Sequence, residues 1–252
     1  MGSYNIAYYM NRGLRGNQED CIFIHGETIQ EDIMLKPSVI RLNGEMLVLA
    51  VCDGMGGLKY GKWASRFICE KLGECLPDIE NHGLSIEQAL KRIQTDMQAQ
   101  EMQNAGSTIT GIILRENRAE VFNAGDSRTY KISDVKIHRL SHDHSLVQDA
   151  IDNGHISYEE SATHLYRHVI TFGMGDVFRD LWARNHKIYV TVDTAQKKDK
   201  YLMCTDGLHD IFEDEELIKT LGPKPFEKTD GLIDIITEKM KDNVSFILIE
   251  VE

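Results

Sequence analysis

The sequence predicts an α+β fold in which antiparallel sheets and helices lie in separate layers. Strand-like segments occur near both ends of the chain, and two long helical segments lie between them. A turn cluster at residues 125–128 separates two strand-like segments and indicates an antiparallel hairpin. This order favours mixed layers of sheet and helix over a regular βαβ alternation. We expect one continuous domain over residues 1–252.

Short segments rich in Val, Ile, Tyr and Phe are predicted to form the strands. They span residues 5–10, 21–25, 46–52, 108–114, 118–124, 129–132, 187–192, 201–204 and 244–251. Segments 118–124 and 129–132 flank the turn cluster, so we expect them to pair as the hairpin.

Two long helices are predicted between the third and fourth strands. The first spans about residues 60–76. The second begins at Ser85, where Ser85 and Gln88 form a capping box that satisfies two backbone N–H groups. Its apolar residues recur at helical spacing, so one face is expected to pack on the core. Shorter helices are predicted at residues 146–153, 214–221 and 232–241.

Composition excludes several classes of protein. The 252 residues carry a formal charge of -12, which argues against a nucleic-acid partner because phosphate backbones are bound by clustered Lys and Arg. No apolar run approaches the roughly 18 residues needed to span a membrane, and the N-terminus lacks a secretory signal. The five cysteines are scattered and match no zinc spacing. We therefore expect free thiols in a cytoplasmic protein without membrane contact.

Aspartates recur where strands end. Asp53, Asp126 and Asp206 each follow an apolar segment, and Asp242 directly precedes the last strand. One aspartate in such a place is more often a turn former. Four of them, each beside a small residue, predict that carboxylates converge at one edge of a sheet.

Converging carboxylates with few histidines nearby suit hard divalent cations such as Mg²⁺ or Mn²⁺, which prefer oxygen ligands. Without a cation the like charges repel one another. Two such cations can activate a water molecule and neutralise an anionic substrate. Arg15 is a candidate for orienting that substrate, because a guanidinium group binds phosphate oxygens in a bidentate fork.

Seven motifs occur in a fixed order along nearly the whole chain. They are Arg-Gly-Asn-Gln-Glu-Asp at 15–20, Asp-Gly-Met-Gly-Gly at 53–57, Gly-Ser-Thr at 106–108, Asn-Ala-Gly-Asp-Ser-Arg at 123–128, Leu-Ser-His-Asp-His-Ser at 140–145, Cys-Thr-Asp-Gly-Leu at 204–208 and Asp-Asn-Val-Ser at 242–245. In this order they resemble the metal-dependent PPM-type (protein phosphatase 2C-like) Ser/Thr phosphatases in their compact bacterial form.

The resemblance implies a four-layer α/β/β/α sandwich with two central antiparallel sheets flanked by helices. It also implies two Mn²⁺ or Mg²⁺ ions as cofactors. Asp53 would bridge these ions, and the carbonyl of Gly54 would bind one of them. Asp206 and Asp242 would complete the protein ligands of the other ion.

Further roles follow from the same resemblance. Glu19 and Asp20 would support the metal site, chiefly through bound waters. Asp126, together with Asp206, would form a weaker third metal site. Arg15 would hold the substrate phosphate, so the resemblance makes Arg15, Asp53 and Asp206 the catalytic residues.

The activity implied is hydrolysis of phosphoserine and phosphothreonine in proteins by direct attack of a metal-activated water, without a phosphoenzyme. The implied partners are phosphorylated protein substrates and a cognate Ser/Thr kinase in a bacterial signalling pathway. We expect a cytoplasmic monomer.

The chain departs from the family pattern in several places. Gln18 stands where Asn is usual, Met55 where animal relatives carry a proposed general acid, and Leu58 where His is frequent. The connection over residues 27–45 is long and predicts an extended hairpin at the surface. Residues 145–184 match the mobile flap of the family and are expected to affect substrate entry.

Two alternatives remain open from the sequence. One is an aspartyl-nucleophile phosphohydrolase, but Met55 occupies the position two residues after Asp53 where that class needs a second Asp. The other is a phosphoprotein-binding regulatory module that kept the fold and lost turnover. Asp53, Asp206 and Asp242 argue against it, because a binding module has no need of converged carboxylates.

Overall fold

The computed structural model describes residues 2–56, 60–100, 102–133, 136–184 and 187–252. The strands are β1 Gly2–Asn11, β2 Cys21–Ile24, β3 Glu27–Ile29, β4 Ser38–Gly44, β5 Met46–Cys52, β6 Gly54–Met55, β7 Gly106–Ser107, β8 Ile109–Arg115, β9 Arg118–Ala124, β10 Arg128–Ile132, β11 Ile137–Arg139, β12 Met174–Gly175, β13 Tyr189–Thr194, β14 Lys200–Cys204 and β15 Val244–Val251. The α-helices are α1 Tyr60–Glu80, α2 Ile86–Ala99, α3 Leu146–Asp152, α4 Tyr158–Ser161, α5 Arg179–Ala183, α6 Asp206–His209, α7 Asp214–Leu221 and α8 Thr229–Lys239.

Two six-stranded antiparallel sheets form the centre of the molecule. The terminal sheet, which contains the first and last strands, has the order β11-β10-β14-β15-β1-β4. The central sheet has the order β13-β9-β8-β5-β2-β3. Strands β12, β7 and β6 make a small third sheet. The predicted hairpin of segments 118–124 and 129–132 is wrong: β9 pairs with β8 and β13 in the central sheet, whereas β10 pairs with β11 and β14 in the terminal sheet.

Strand β5 shows how the layers are built. All seven of its residues are buried, and successive side chains point to opposite faces. Leu47, Leu49 and Val51 belong to the apolar core between the two sheets. Val48 and Ala50 belong to the core between the central sheet and helices α1 and α2. A strand covered on both faces reads as a continuous apolar run, which is how this segment appears in the sequence.

Helices cover the outer face of each sheet. Helices α1 and α2 pack on the central sheet through residues such as Ile68, Leu72 and Leu90. Helices α7 and α8 pack on the terminal sheet through residues such as Leu217 and Leu232. The predicted four-layer α/β/β/α sandwich is confirmed.

Most predicted elements are confirmed, with shifted ends. The capping box of α2 is present: Gln88 N donates to Ser85 Oγ at 3.3 Å, and Ser85 N donates to Gln88 Oε1 at 2.9 Å. Helix α1 continues past its predicted end to Glu80 and includes Pro77. Helix α8 begins at Thr229, three residues before its predicted start.

The prediction of an extended hairpin over residues 27–45 is wrong. Strand β3 pairs with β2 in the central sheet, whereas β4 pairs with β1 at the edge of the terminal sheet. The connection therefore joins the two sheets. Its alternation of apolar and polar residues is explained by β4, where Ile40 and Leu42 pack against the core between the sheets.

All five cysteines are buried free thiols, as predicted. The Sγ atoms of Cys52, at the end of β5, and Cys69, on α1, are 3.8 Å apart. Burial raises the pKa of both thiols. Among the helices that the structure describes, none has the length and apolar character required to cross a membrane.

Candidate active site

The predicted acidic residues lie at one end of the two large sheets because of how the strands pair. Cys21, the first residue of β2, lies opposite Cys52, the last residue of β5. Asp20 and Asp53 are therefore neighbours across that pair. In the terminal sheet, Cys204 of β14 pairs with Phe246 of β15, so Asp206 and Asp242 project from adjacent strand ends. Folding thus gathers residues from opposite ends of the chain, such as Asp20 and Asp242.

A cleft of about 450 Å³ opens at this edge. Six of the eight predicted site residues line it: Arg15, Glu19, Asp53, Gly54, Asp206 and Asp242. The other two lie deeper. Asp20 is fully buried and its Oδ2 accepts a hydrogen bond from Thr205 Oγ1 at 3.0 Å. Asp126 is 6% exposed.

Burial, together with the neighbouring carboxylates, raises the pKa values of the acidic residues. Burial, followed by the charges of Asp206 and Asp20, raises the pKa of Asp53 well above its usual range. Burial and neighbouring carboxylates raise the pKa of Asp206 to about 6. Burial raises the pKa of Asp20 to about 8, with Asp206 and Asp242 adding to the effect. Negative charge is therefore costly here unless a cation neutralises it.

The donor atoms of this cleft fit hard divalent cations. The side chains that converge offer carboxylate oxygens, which Mg²⁺ and Mn²⁺ prefer. The pKa of Asp126 is raised well above its usual range by burial and by Asp206. Its Oδ1 atom is buried and has no hydrogen-bond partner within the part of the chain that the structure describes. An oxygen of this kind requires either a proton or a positive ligand.

Gly54 is held by close packing that no other residue fits. A Cβ atom at this position would lie 2.1 Å from the carbonyl oxygen of Gly61 in α1 and 2.5 Å from that of Glu19. A Cβ atom at Gly61 would in turn lie 2.4 Å from Glu19 Oε2. The two glycines therefore allow the first turn of α1 to approach the Glu19 carboxylate and the backbone after Asp53.

The backbone of Asp53 is fixed by residues whose roles the sequence did not identify. Thr108 Oγ1 accepts a hydrogen bond from Asp53 N at 3.0 Å, and Ser107 Oγ donates to the Asp53 carbonyl at 2.9 Å. Thr108 N also donates to that carbonyl at 2.9 Å. The motif at 106–108 was recognised, but nothing in its spacing showed that it holds Asp53.

Asn243 connects the loop before β2 to the start of β15. Its Oδ1 accepts a hydrogen bond from Glu19 N at 2.6 Å, and its Nδ2 donates to the carbonyls of Arg12 and Asn17, each at 3.0 Å. Gln18, one of the departures from the family pattern, is buried, and its Oε1 accepts from Asp20 N at 3.1 Å. Its side chain therefore shapes the same loop.

Arg15 lies at the rim of the cleft, with 62% of its side chain exposed. Its guanidinium donates to Asp242 Oδ2 at 2.5 Å, and this hydrogen bond raises the pKa of Arg15. Arg12 supports the loop by donating to the carbonyls of Arg15 and Gly16. An exposed guanidinium group is thereby placed beside the carboxylates.

The flap segment, residues 145–184, contributes Ile170 to the cleft. A buried ion-pair network holds its base. Arg128 and Arg139 both donate to Asp143 Oδ2, at 2.7 and 3.1 Å. Arg139 also donates to Gln148 Oε1 of α3 at 2.8 Å.

Two further departures from the family pattern are Met55 and Leu58. Met55 lines the cleft, whereas Leu58 lies outside the described residues.

The layered fold and the acidic cleft together define an α/β/β/α protein in which carboxylate oxygens, the donors that suit hard divalent cations, converge at one end of the two sheets. The family model for protein phosphatase 2C matches residues 24–231. The chain belongs to this family.

Several relatives resemble the chain over most of its length. The serine/threonine protein phosphatase PstP of Mycobacterium tuberculosis is 30% identical over 229 residues, which is 84% of this chain and 43% of that protein. The chain thus spans less than half the length of this relative. The serine/threonine phosphatase stp of Listeria monocytogenes is 25% identical over 221 residues, 81% of this chain and 84% of its own.

Solved structures of bacterial serine/threonine phosphatases share the fold of this chain. Stp1, a serine/threonine phosphatase from Staphylococcus aureus, superposes with a TM-score of 0.78 at 27% identity and covers 98% of this chain and 94% of its own. The catalytic domain of PstP in complex with two manganese ions has a TM-score of 0.73 at 26% identity and covers 100% and 99% of the two chains.

Proposed function

We propose that the protein hydrolyses phosphoserine and phosphothreonine in proteins, using divalent cations bound in the acidic cleft. The observation that carries the proposal is the convergence of Asp53, Asp206 and Asp242 beside the exposed guanidinium of Arg15. Membership of the protein phosphatase 2C family and the two manganese ions in the PstP complex support it.

Two Mn²⁺ or Mg²⁺ ions would be held by Asp53, Asp206 and Asp242 and by the carbonyl of Gly54. Glu19 and Asp20 would support these ligands through water. Bound there, the cations would supply an activated water and positive charge toward a phosphate. We assign a third, weaker cation position to Asp126 and Asp206, because the buried Oδ1 of Asp126 has no other partner among the described residues.

The chain's own residues would position the substrate. Arg15 would exchange its hydrogen bond with Asp242 for a bidentate contact with the phosphate, which its exposure permits. Its positive charge would stabilise the transferring phosphoryl group, where most catalysis of this reaction lies. Ser107 and Thr108 keep the Asp53 backbone fixed during the reaction. Asn243 does the same for the Arg15 loop by bonding to its carbonyls.

We further infer that residues 1–252 act as one catalytic unit and as a monomer, with a cognate Ser/Thr kinase supplying the phosphorylated substrates. Five buried free thiols support a reducing, cytoplasmic location.

The test is hydrolysis of a phosphothreonine peptide with and without Mn²⁺. We expect Mn²⁺-dependent turnover by the wild type and at least about 100-fold less by Asp206→Asn, since a ligand of the cations that would stabilise the transition state is lost. Asp234→Asn, an exposed aspartate on α8, is the matched control and should match the wild type.

Each other outcome has a defined meaning. No turnover by the Mn²⁺-loaded wild type would favour the regulatory module. Activity that survives EDTA and the Asp206→Asn change would reject the metal mechanism. A hydroxylamine-sensitive phosphoenzyme would instead identify an aspartyl nucleophile.

A further inference from the structure

A strip of exposed apolar side chains lies beside Arg15 at the rim of the cleft. It consists of Leu14, Ile33, Leu35 and Val39, and we refer to it as the rim strip. Leu14 is 81% exposed and Leu35 is 89% exposed. A single exposed apolar residue needs no explanation, but several that lie next to one another mark a surface that binds a partner.

Backbone hydrogen bonds bring the members of the rim strip together. Strand β4 pairs with β1 along its whole length. The pairing resumes before β4, where Met34 N donates to the Met10 carbonyl at 2.9 Å. Arg12 N donates to the Asp32 carbonyl, also at 2.9 Å. Residues 32–39 therefore run beside the end of β1 and reach the loop that precedes β2.

The turn at residues 12–15 joins the rim strip to the cleft. Arg15 N donates to the Arg12 carbonyl at 3.1 Å, which closes the turn. Gly13 has a φ of +59°, and a Cβ atom there would collide with the carbonyl oxygen of Asp242, so the turn packs directly on the acidic cleft. Leu14 is therefore held one residue away from the guanidinium that pairs with Asp242.

Strand β4 lies at the edge of the terminal sheet. It pairs with β1 on one side and with no other strand in the described part of the chain. The backbone groups of an edge strand can bind an extended peptide as a further strand. Ile33 and Val39 are separated by about 20 Å of extended chain. The rim strip is therefore long enough to contact a peptide of about six residues.

The charge of this surface favours an acidic partner. Residues 11–16 and 33–44 contain no Asp or Glu, although the whole chain has a formal charge of -12. They contain four basic residues, of which Arg15 and Arg41 form ion pairs with carboxylates. Lys36 is exposed and belongs to no ion pair of the described residues. A second copy of the chain would bring the same cations to this surface, whereas an acidic peptide complements them.

We propose that the rim strip binds the segment of a phosphoprotein substrate that flanks the phosphorylated residue, and that this segment carries bulky aliphatic side chains and an acidic residue within about six residues of the phosphate. The proposal rests on the proposed function, since it places the phosphate at Arg15. The aliphatic side chains cover Leu14 and Leu35, the acidic side chain pairs with Lys36, and the peptide backbone lies along the edge of β4. The rim strip thus selects among phosphoproteins, whereas the cleft recognises the phosphate that they share.

The test compares two phosphothreonine peptides of equal length. One carries Leu and Glu among about six residues on each side of the phosphothreonine, and the other has Gly and Gln in their places. With Mn²⁺, the wild type should hydrolyse the first peptide with a kcat/KM at least about tenfold higher, chiefly through a lower KM.

Three variants locate this preference on the surface. The double variant Leu14→Ser and Leu35→Ser should reduce the kcat/KM ratio of the two peptides to below about threefold. Lys36→Glu should reduce the ratio at least about twofold. Val192→Ser, which changes an exposed apolar residue of β13, is the matched control and should keep the wild-type ratio. A ratio of the two peptides is compared because it cancels any general loss of turnover.

Binding is measured independently of turnover, using both peptides with a non-hydrolysable phosphonate in place of the phosphate ester. In fluorescence anisotropy with Mn²⁺, the wild type should bind the Leu- and Glu-containing peptide at least about tenfold more tightly than its counterpart. Preferential binding that the double variant loses, without hydrolysis of either phosphopeptide, would reject the proposed function and retain the rim strip as a peptide-binding surface. Hydrolysis of both phosphopeptides with equal kcat/KM and equal affinity would overturn the rim strip and retain the function.

Two further results would also overturn the proposal. One is a peptide preference that the double variant keeps unchanged. The other is a dimer of the wild type, detected by sedimentation, that Leu35→Ser abolishes, because the strip would then belong to a contact between two copies. Thermal unfolding verifies that each variant is folded. Leu35→Ser alone, at the most exposed of the four positions, carries the test if the double variant is not folded.

Discussion

Buried carboxylates occur in two regions of this molecule, and what faces them differs. Asp143, 4% exposed, accepts hydrogen bonds from Arg128 and Arg139. Burial acts to raise its pKa, but the two guanidinium groups outweigh burial and hold the pKa below its usual value. Asp53 and Asp206 face other carboxylates instead, and their pKa values are raised.

The comparison separates a structural ion pair from a binding site. At Asp143 the protein supplies its own cations, so the negative charge stabilises the fold. In the cleft, the guanidinium of Arg15 lies at the exposed rim and pairs with Asp242. Asp53 and Asp206 face like charges, so their ionised forms are costly in the metal-free protein, and a divalent cation would stabilise them.

The largest effect is expected from removing Asp143, the buried partner of Arg128 and Arg139. Asp143→Ala should lower the free energy of unfolding by about 3–5 kcal/mol, because it leaves Arg128 and Arg139 buried and unpaired. Urea denaturation of metal-free protein measures this. Asp149→Ala, an exposed position on α3, is the control. A loss below about 1 kcal/mol would show that the two arginines find other partners.

The matching change in the cleft should affect activity rather than folding. Asp53→Asn should reduce phosphopeptide hydrolysis by about 100-fold to 1,000-fold, equivalent to about 3–4 kcal/mol of barrier. The same change removes a like charge, so the metal-free variant should be at least as stable as the wild type. Full activity of Asp53→Asn, or clearly lower stability than the wild type, would contradict the conclusion that the cleft carboxylates serve binding and Asp143 serves the fold.

A smaller effect should appear as a pH dependence of metal-free protein. The pKa of Asp20 is about 8 in the folded state, against an ordinary value near 4 when unfolded. The folded state therefore binds more protons between these values, and stability falls as pH rises. His209, whose pKa burial lowers to about 3, acts in the opposite direction only below about pH 6.5.

Between pH 6.5 and 8 in EDTA we accordingly expect the free energy of unfolding to fall by about 1–2 kcal/mol. Denaturation at both pH values measures it, and Asp20→Asn should reduce the slope, while Asp53 and Asp126, whose pKa values are also raised, account for what remains. Saturating Mn²⁺ should also reduce the slope, because bound cations favour the ionised carboxylates. Stability that rises over this interval would contradict the raised pKa.

The smallest effect concerns an exposed ion pair. Arg66 Nε and Glu70 Oε1 are 2.7 Å apart on α1, but about half of each side chain is exposed. A double-mutant cycle with alanine should give a coupling energy of only about 0.3–0.5 kcal/mol. A coupling energy close to the loss of about 3–5 kcal/mol expected for Asp143→Ala would mean that burial does not determine how much an ion pair contributes to stability.

Much of the fold was predictable because its signals are local. Strand β5 is an unbroken apolar run, and the capping box at Ser85 marks the start of α2 within four residues. The two-residue strands β6, β7 and β12 carry no such pattern. The hairpin prediction for residues 27–45 fails because sequence shows that a segment is extended but not which sheet it joins. Strands β3 and β4 join different sheets.

The site was predictable to the extent that its residues mark strand ends. Asp53, Asp206 and Asp242 lie at strand ends, and the resemblance in motif order indicated the other site residues. Asn243 acts through side-chain bonds to backbone groups more than 220 positions away, which leave no local pattern.

The buried thiols make this protein convenient to label. Since none of the five cysteines is at the surface, a maleimide dye added to the native protein has no ready target. A single new thiol, for example Leu165→Cys at a flap position that is 84% exposed, would carry the dye alone. The native cysteines need not be replaced, and fluorescence from that one probe would follow the flap directly.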